Sequence, residues 1–221
     1  MTPTLRRDVA LLSIALCVLL AWDLSGLDLW LSRCFGGSNG FPWREHWLSA
    51  DVLHDGGRVA GWLALAAAML RRDLTGPQRR WWLGTTLACA VAIQFLKHAS
   101  ATSCPWSLAE FGGVATYVSH WQWGVTDGGS GRCFPSGHAA SALALLPGAY
   151  VLRGAAARRW LLLVLAGAVV FGATQVVRGA HYASHTLWTA WVCWALTAAS
   201  HHAAAAARWR RQGAVAGGVS I

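Results

Sequence analysis

The sequence predicts an all-α, polytopic membrane protein with six transmembrane helices. Three observations carry that expectation. Charged residues make up 12% of the 221 residues, about half of the ~25% usual in a soluble domain. The apolar residues fall in blocks, several of them near the ~20 residues that cross a bilayer. The blocks are apolar all round, whereas a surface helix of a soluble protein keeps a polar face.

In chain order the predicted spans are 9–30, 57–70 with some upstream flank, 81–98, 137–152, 160–180 and 186–205. Arg6 and Arg7 precede the first, and no small-x-small cleavage site closes it, so it reads as a retained span. Net charge is +9, which in a soluble protein would suggest nucleic acid. Here the cations sort by loop. Twelve of the eighteen lie on one side of the predicted spans: Arg6, Arg7, Arg71, Arg72, Arg79, Arg80, Arg153, Arg158, Arg159, Arg208, Arg210 and Arg211. That is the positive-inside pattern. It predicts cytoplasmic termini, puts loops 31–56, 99–136 and 181–185 outside, and assigns the arginines to topology rather than to nucleic acid. No internal repeat is present, and the chain reads as a single integral-membrane domain over 1–221. The alanines of 203–207 read as a helix end and the glycines of 213–218 as a loose terminus.

Polar residues within or beside spans are costly, so each is a functional candidate. Lys97 ends the third span and is the one lysine beside 17 arginines. A compact ammonium can meet phosphate as a point charge. The stretch HYASH places His181 and His185 four apart, on one face if helical. That is also a metal-ligand spacing, but it lacks the Glu of the zinc-protease version. Gln175 and Arg178 are three apart, and Arg178 sits in apolar sequence where a cation needs an anionic partner. At the mouth of the fourth span stand Pro135, Ser136, Gly137 and His138. Helix N-terminal N–H groups lack partners within the helix and favour anions, and Gly lets backbone approach a ligand closely. The outer side therefore collects a Lys, an Arg, a helix start and several His. Lys, Arg and backbone N–H suit phosphate oxygens. Trp106, Trp121 and Trp123 in the long outer loop read as interface anchors or headgroup contacts.

These residues resemble the type-2 phosphatidic-acid phosphatase family, membrane relatives of the vanadium haloperoxidases. The family pattern is Lys, six residues, Arg-Pro; then Pro-Ser-Gly-His; then Arg, five residues, His, three residues, Asp. This chain has Lys97 with Cys104-Pro105, the complete Pro135-Ser136-Gly137-His138, and Gln175, His181 and His185. The likeness covers about 50–200 and implies a haloperoxidase-like helical core. It implies a phosphatase that needs no cofactor or metal and acts on a lipid phosphate of the bilayer. His181 would attack phosphorus to form a phosphohistidine, and His138 would protonate the leaving oxygen and then activate water. Lys97, Ser136 and Gly137 would hold the phosphate. Undecaprenyl diphosphate, lipid A, phosphatidylglycerol phosphate and phosphatidate are all compatible substrates. The bias to Arg, Ala and Gly suggests a GC-rich bacterial genome, hence an inner-membrane enzyme facing the periplasm or exterior. A phosphotransferase or a catalytically silent lipid-phosphate binder would use the same residues. A metal or haem protein would leave Lys97 and Pro135-Ser136-Gly137 unexplained.

Three positions depart from the pattern: Cys104 and Gln175 stand where the family has Arg, and His185 where it has Asp. Arg178, one helical turn from Gln175, or Arg132 beside the second motif would then supply the missing guanidinium. A neutral His185 can still accept a proton from His181 and orient it. Cys34, Cys104 and Cys133 lie in outer loops, where disulfides are permitted. If both motifs converge on one phosphate, Cys104 and Cys133 lie on neighbouring loop ends and can pair. Two free thiols, or a pairing with Cys34, are the alternatives.

Overall fold

The first apolar block becomes α1 (Pro3–Leu24). Thr2 caps it by accepting from the Leu5 N–H, and Gly26, at φ +73°, turns the chain into α2 (Leu27–Arg33). The axes of these two helices differ by 61°. The coordinates are a computed structural model that describes residues 1–122 and 124–217, without the side chains of His54, Arg58 and 209–217. Trp123, Arg210, Arg211 and the glycine-rich tail therefore lie wholly or in their side chains outside the described residues.

A π-helical segment, Leu48–Gly56, leads into α3 (Gly57–Met69). A loop follows in which Arg71 pairs with Asp73 at 2.7 Å. Thr75 and Gln78 then form a reciprocal capping box, which satisfies N-terminal donors of a helix, and α4 (Gly76–Ala99) begins. Residues 100–139 are irregular, broken by short 3₁₀ turns at Pro105–Ser107 and Ala109–Phe111. The chain continues through α5 (Ala140–Leu143), α6 (Pro147–Val151), α7 (Gly154–Val177) and α8 (Ala183–Gly217). No strand occurs among the described residues, only two isolated bridges, so the fold is all-helical.

The fourth predicted span is not one helix. It divides into α5 and α6, the second opening at Pro147, because proline has no N–H for the helical ladder and its ring crowds the preceding turn. The second is a 13-residue α3 entered through a π-helical segment. Among the described residues one helix, α7, is long and apolar enough to cross a membrane unaided, and α1 with α2 passes together as a bent pair. Six continuous spans are therefore not what the structure displays.

Helices α1 and α4 pack on α8, and α5 and α6 pack on α7. Trp82, Cys89, Ile93, Leu143 and Cys193 form the buried centre. Trp82 meets Trp160 edge-on, ring centres 5.0 Å apart. A Cβ on Gly148 would stand 2.3 Å from both indoles, so only glycine lets α6 approach them. The outer faces stay apolar: Ile14, Val18, Leu162, Leu163 and Val169 are all exposed.

Candidate active site

The site forms where α4 ends, α7 ends and α8 begins. Lys97, in the last turn of α4, is half-buried. A methyl group placed on Gly137 would lie 3.6 Å from its Nζ, so the ammonium faces the Pro135–His138 loop. That loop is pinned to α8. The Ser136 N–H donates to the His185 carbonyl at 3.1 Å, and the Thr189 hydroxyl reaches the carbonyls of Ser136 (3.0 Å) and His185 (2.8 Å). Ser136 Oγ accepts from the Ala139 N–H at 3.4 Å. The peptide bond between Phe134 and Pro135 is cis.

His181 lies in the short link between α7 and α8. Its N–H donates to the Gln175 carbonyl at 3.2 Å, and the Ala180 N–H donates to the same oxygen at 2.8 Å, so the end of α7 fixes its position. The His138 and His181 ring centres are 5.8 Å apart. His181 Nδ1 is 3.4 Å from His185 Nδ1 and 3.5 Å from Cys133 Sγ. Burial first, and then the charges of His185, Lys97 and His138, hold the His181 pKa well below the usual imidazole value. His181 is therefore a neutral base at physiological pH. If its Nδ1 carries the proton toward His185, the Nε2 lone pair is left available. His185 is fully buried, and its own Nε2 has no hydrogen-bond partner among the described residues.

Cys104 and Cys133 are joined in a disulfide that closes a sequence separation of 29. The loop ends also pair through backbone, with Arg132 N–H to Ser100 O and Cys133 N–H to Thr102 O, both 2.9 Å. The two sulfurs and a His181 nitrogen lie within 4.8 Å of one another. With both sulfurs committed to the disulfide, this group offers a metal one imidazole nitrogen rather than the three or four ligands a bound zinc takes.

One expected phosphate ligand has a side-chain partner outside the three motifs. Arg178 is the C-cap of α7. Its Nε donates to the Arg44 carbonyl at 3.0 Å, and the charges acting on it are those of Asp55, Arg44 and Asp51. The Arg178 backbone is still helical, its N–H donating to the Thr174 carbonyl at 3.1 Å, but its side chain is engaged by the Arg44 carbonyl. Gln175 is buried, and its Oε1 lacks a hydrogen-bond partner among the described residues. Arg132 is exposed, with a left-handed backbone at φ +56°, and its guanidinium makes no hydrogen bond or ion pair among the described residues.

Two acids outside the three motifs complete the site. Asp28, buried on α2, accepts the Ser184 N–H at 3.0 Å, the Ser184 hydroxyl, and Trp22 Nε1–H at 2.9 Å. A carboxylate from another helix thus caps the start of α8, between His181 and His185. Asp23, at the end of α1, accepts from Trp121 Nε1 and Trp188 Nε1 at 2.9 Å and meets His120 Nε2 at 3.2 Å. The His120 ring stacks on Phe134 at 4.1 Å and stands edge-on to His185 at 5.9 Å. Trp121 is therefore a ligand of Asp23, and Trp106 lies under the Arg44 guanidinium, 4.6 Å from its ring centre. Both acids fall inside the first apolar block of the sequence. The rule that singles out polar residues in spans would have found them.

The sequence matches the PAP2 superfamily over residues 79–209. The chain belongs to that superfamily. Membership brings phosphatase-type chemistry on phosphate esters, often those of lipids. No curated protein and no solved structure matches the chain.

Proposed function

We propose that this PAP2 protein is a membrane-embedded phosphatase that hydrolyses the phosphomonoester or diphosphate headgroup of a lipid. One observation carries the proposal: the Lys97 ammonium lies beside Gly137, next in sequence to His138, and the His138 ring stands 5.8 Å from that of His181. An ammonium and backbone N–H groups match phosphate oxygens, and two imidazoles divide the work of nucleophile and acid.

In the proposed reaction His181 Nε2 attacks phosphorus in line with the leaving oxygen. A P–N bond forms as the P–O bond breaks, and His138 gives its proton to the departing oxygen. His138 then takes a proton from water, which attacks the phosphohistidine and frees His181 and phosphate. Lys97, Ser136 and the Gly137 N–H stabilise charge on the equatorial oxygens. His185, 3.4 Å from His181, fills the orienting place of the family's Asp as a neutral acceptor. Superfamily membership, the apolar α7 and the apolar outward faces of α1 and α7 support a bilayer setting. The charge distribution supports cytoplasmic termini and an outward-facing site.

The test is phosphate release by the purified chain from a panel of lipid phosphates, with His181→Ala beside it. Release that depends on His181 supports the reading. Wild-type protein that frees no phosphate from any of them, or His181→Ala that frees it normally, sinks it.

A further inference from the structure

The end of the bundle opposite the histidines holds a second polar site. A cavity of about 390 Å³ opens between the start of α4, the α6–α7 joint and the far end of α8, lined by Gln78, Trp81, Tyr150, Arg153, His201 and Arg208 among others. Along α4 it lies about 28 Å from Lys97, nineteen residues at ~1.5 Å each. Neither Arg153 nor Arg208 forms an ion pair among the described residues. Asp8 does not neutralise them, because His202 Nε2 holds it at 2.9 Å and Arg7 pairs with it at 3.7 Å. The capping box already uses Gln78 and donors of the α4 start, so an anion here would be held by side chains.

Tyr150 also lines a second space, an apolar groove of about 690 Å³ between α1, α5–α6, α7 and α8. Its walls include Leu11, Val18, Leu143 and Leu165, and the Arg7–Asp8 pair stands at its polar end. From Arg7 to Leu19 it follows α1 for about 18 Å. A cationic pocket and an apolar groove that share one wall match an anionic amphiphile. A free anion would leave the groove empty, and a neutral lipid would leave the guanidiniums unmatched.

From these two spaces we propose that this end of the bundle binds an anionic phospholipid, its phosphodiester between Arg153 and Arg208 and an acyl chain along α1. The lipid comes from the leaflet opposite the one that supplies the substrate. This binding rests on the bilayer setting of the proposed function but not on catalysis. A phosphodiester is not a phosphomonoester, so the ligand is retained and not consumed.

The test uses the full chain, delipidated in detergent and titrated with dioleoyl-phosphatidylglycerol, dioleoyl-phosphatidylcholine or inorganic phosphate. Bound lipid is counted by native mass spectrometry and thermal stability is followed. One phosphatidylglycerol should bind per chain, at least ~10-fold more tightly than phosphatidylcholine, and raise the melting temperature. Arg153→Ala with Arg208→Ala should remove the preference. Arg158→Ala with Arg159→Ala, which takes the same charge from outside the cavity, should keep it. Ala15→Trp, which fills the groove, should weaken phosphatidylglycerol and leave any binding of inorganic phosphate unchanged. Equal binding of the two lipids, a preference that survives loss of Arg153 and Arg208, or stabilisation by inorganic phosphate equal to that by the lipid overturns the proposal. Phosphate release measured on the same samples reports on the phosphatase reading separately, and release from membranes without detergent would count against the bilayer setting.

Discussion

Replacing Asp28 removes a carboxylate that no motif contains. In Asp28→Ala the Ser184 N–H, the Ser184 hydroxyl and the Trp22 indole N–H all lose their acceptor. The Ser184 groups are buried, and each buried donor left unmatched costs about 1–3 kcal/mol. Counting those two and a smaller share for Trp22 gives a loss of about 3–6 kcal/mol. For a chain of this size that lowers the melting temperature by on the order of 10 °C. In Asp28→Asn the amide oxygen still accepts from the backbone, and the hydroxyl can turn to accept from the amide nitrogen, so the cost falls to about 1–2 kcal/mol. The start of α8 carries His185, and Ser184 lies between the two histidines. A shift of about 1 Å there lowers kcat by roughly 100-fold, with KM little changed because Lys97 and Gly137 stay in place. The assay is thermal unfolding in detergent alongside steady-state phosphate release for wild type, Asp28→Asn and Asp28→Ala. If Asp28→Ala melts within about 2 °C of wild type and keeps its kcat, the carboxylate does not hold α8. If Asn is as damaging as Ala, charge rather than hydrogen bonding decides.

His181→Ala and His138→Ala should each lower phosphate release at least ~100-fold; near-normal turnover in either variant would remove the assigned roles. Lys97→Ala should cut activity far more than Arg178→Ala, whose guanidinium serves Arg44; the reverse order in kcat/KM would return Arg178 to the phosphate. The folded His181 pKa lies below its unfolded value, so the unfolded chain binds the extra proton. Stability from this group is complete above about pH 6.5 and falls as pH drops below it, by at most about 1.4 kcal/mol per pH unit. Denaturation midpoints that do not change between pH 7 and pH 5 would contradict that. Opening the disulfide with Cys104→Ser releases a loop of sequence separation 29, worth about 3.6 kcal/mol by loop-closure entropy. A denaturation midpoint equal to that of the oxidised wild type would show the bridge to be energetically idle.

The Pro135–His138 motif was legible because its members are consecutive, and Lys97 because it is the chain's lone lysine. The Cys104–Cys133 partnership followed from two motifs having to meet at one phosphate. Arg178 reads from its spacing as a companion of Gln175, but its Nε meets the Arg44 carbonyl 134 residues away, a contact that helical spacing does not announce. The fourth span reads as continuous because hydropathy averages over Pro147, whereas backbone hydrogen bonding does not. The Asp28–Ser184 contact joins residues 156 apart, and no local pattern announces so distant a partner. The helical class survived all of this because it rests on long blocks of composition rather than on any single residue.

The span between Asp28 and Ser184 also has a meaning in time. A ribosome adding about 5–20 residues per second takes roughly 8–30 s to cross 156 residues. Throughout that interval the acids of α1 and α2 are made and waiting, while the segment that carries His181 and His185 does not yet exist. The proposed catalytic centre therefore cannot assemble before the start of α8 has been made. On the proposed mechanism, a chain stalled after its first four helices lacks both His138 and His181 and cannot attack a phosphate ester on the way to its final place.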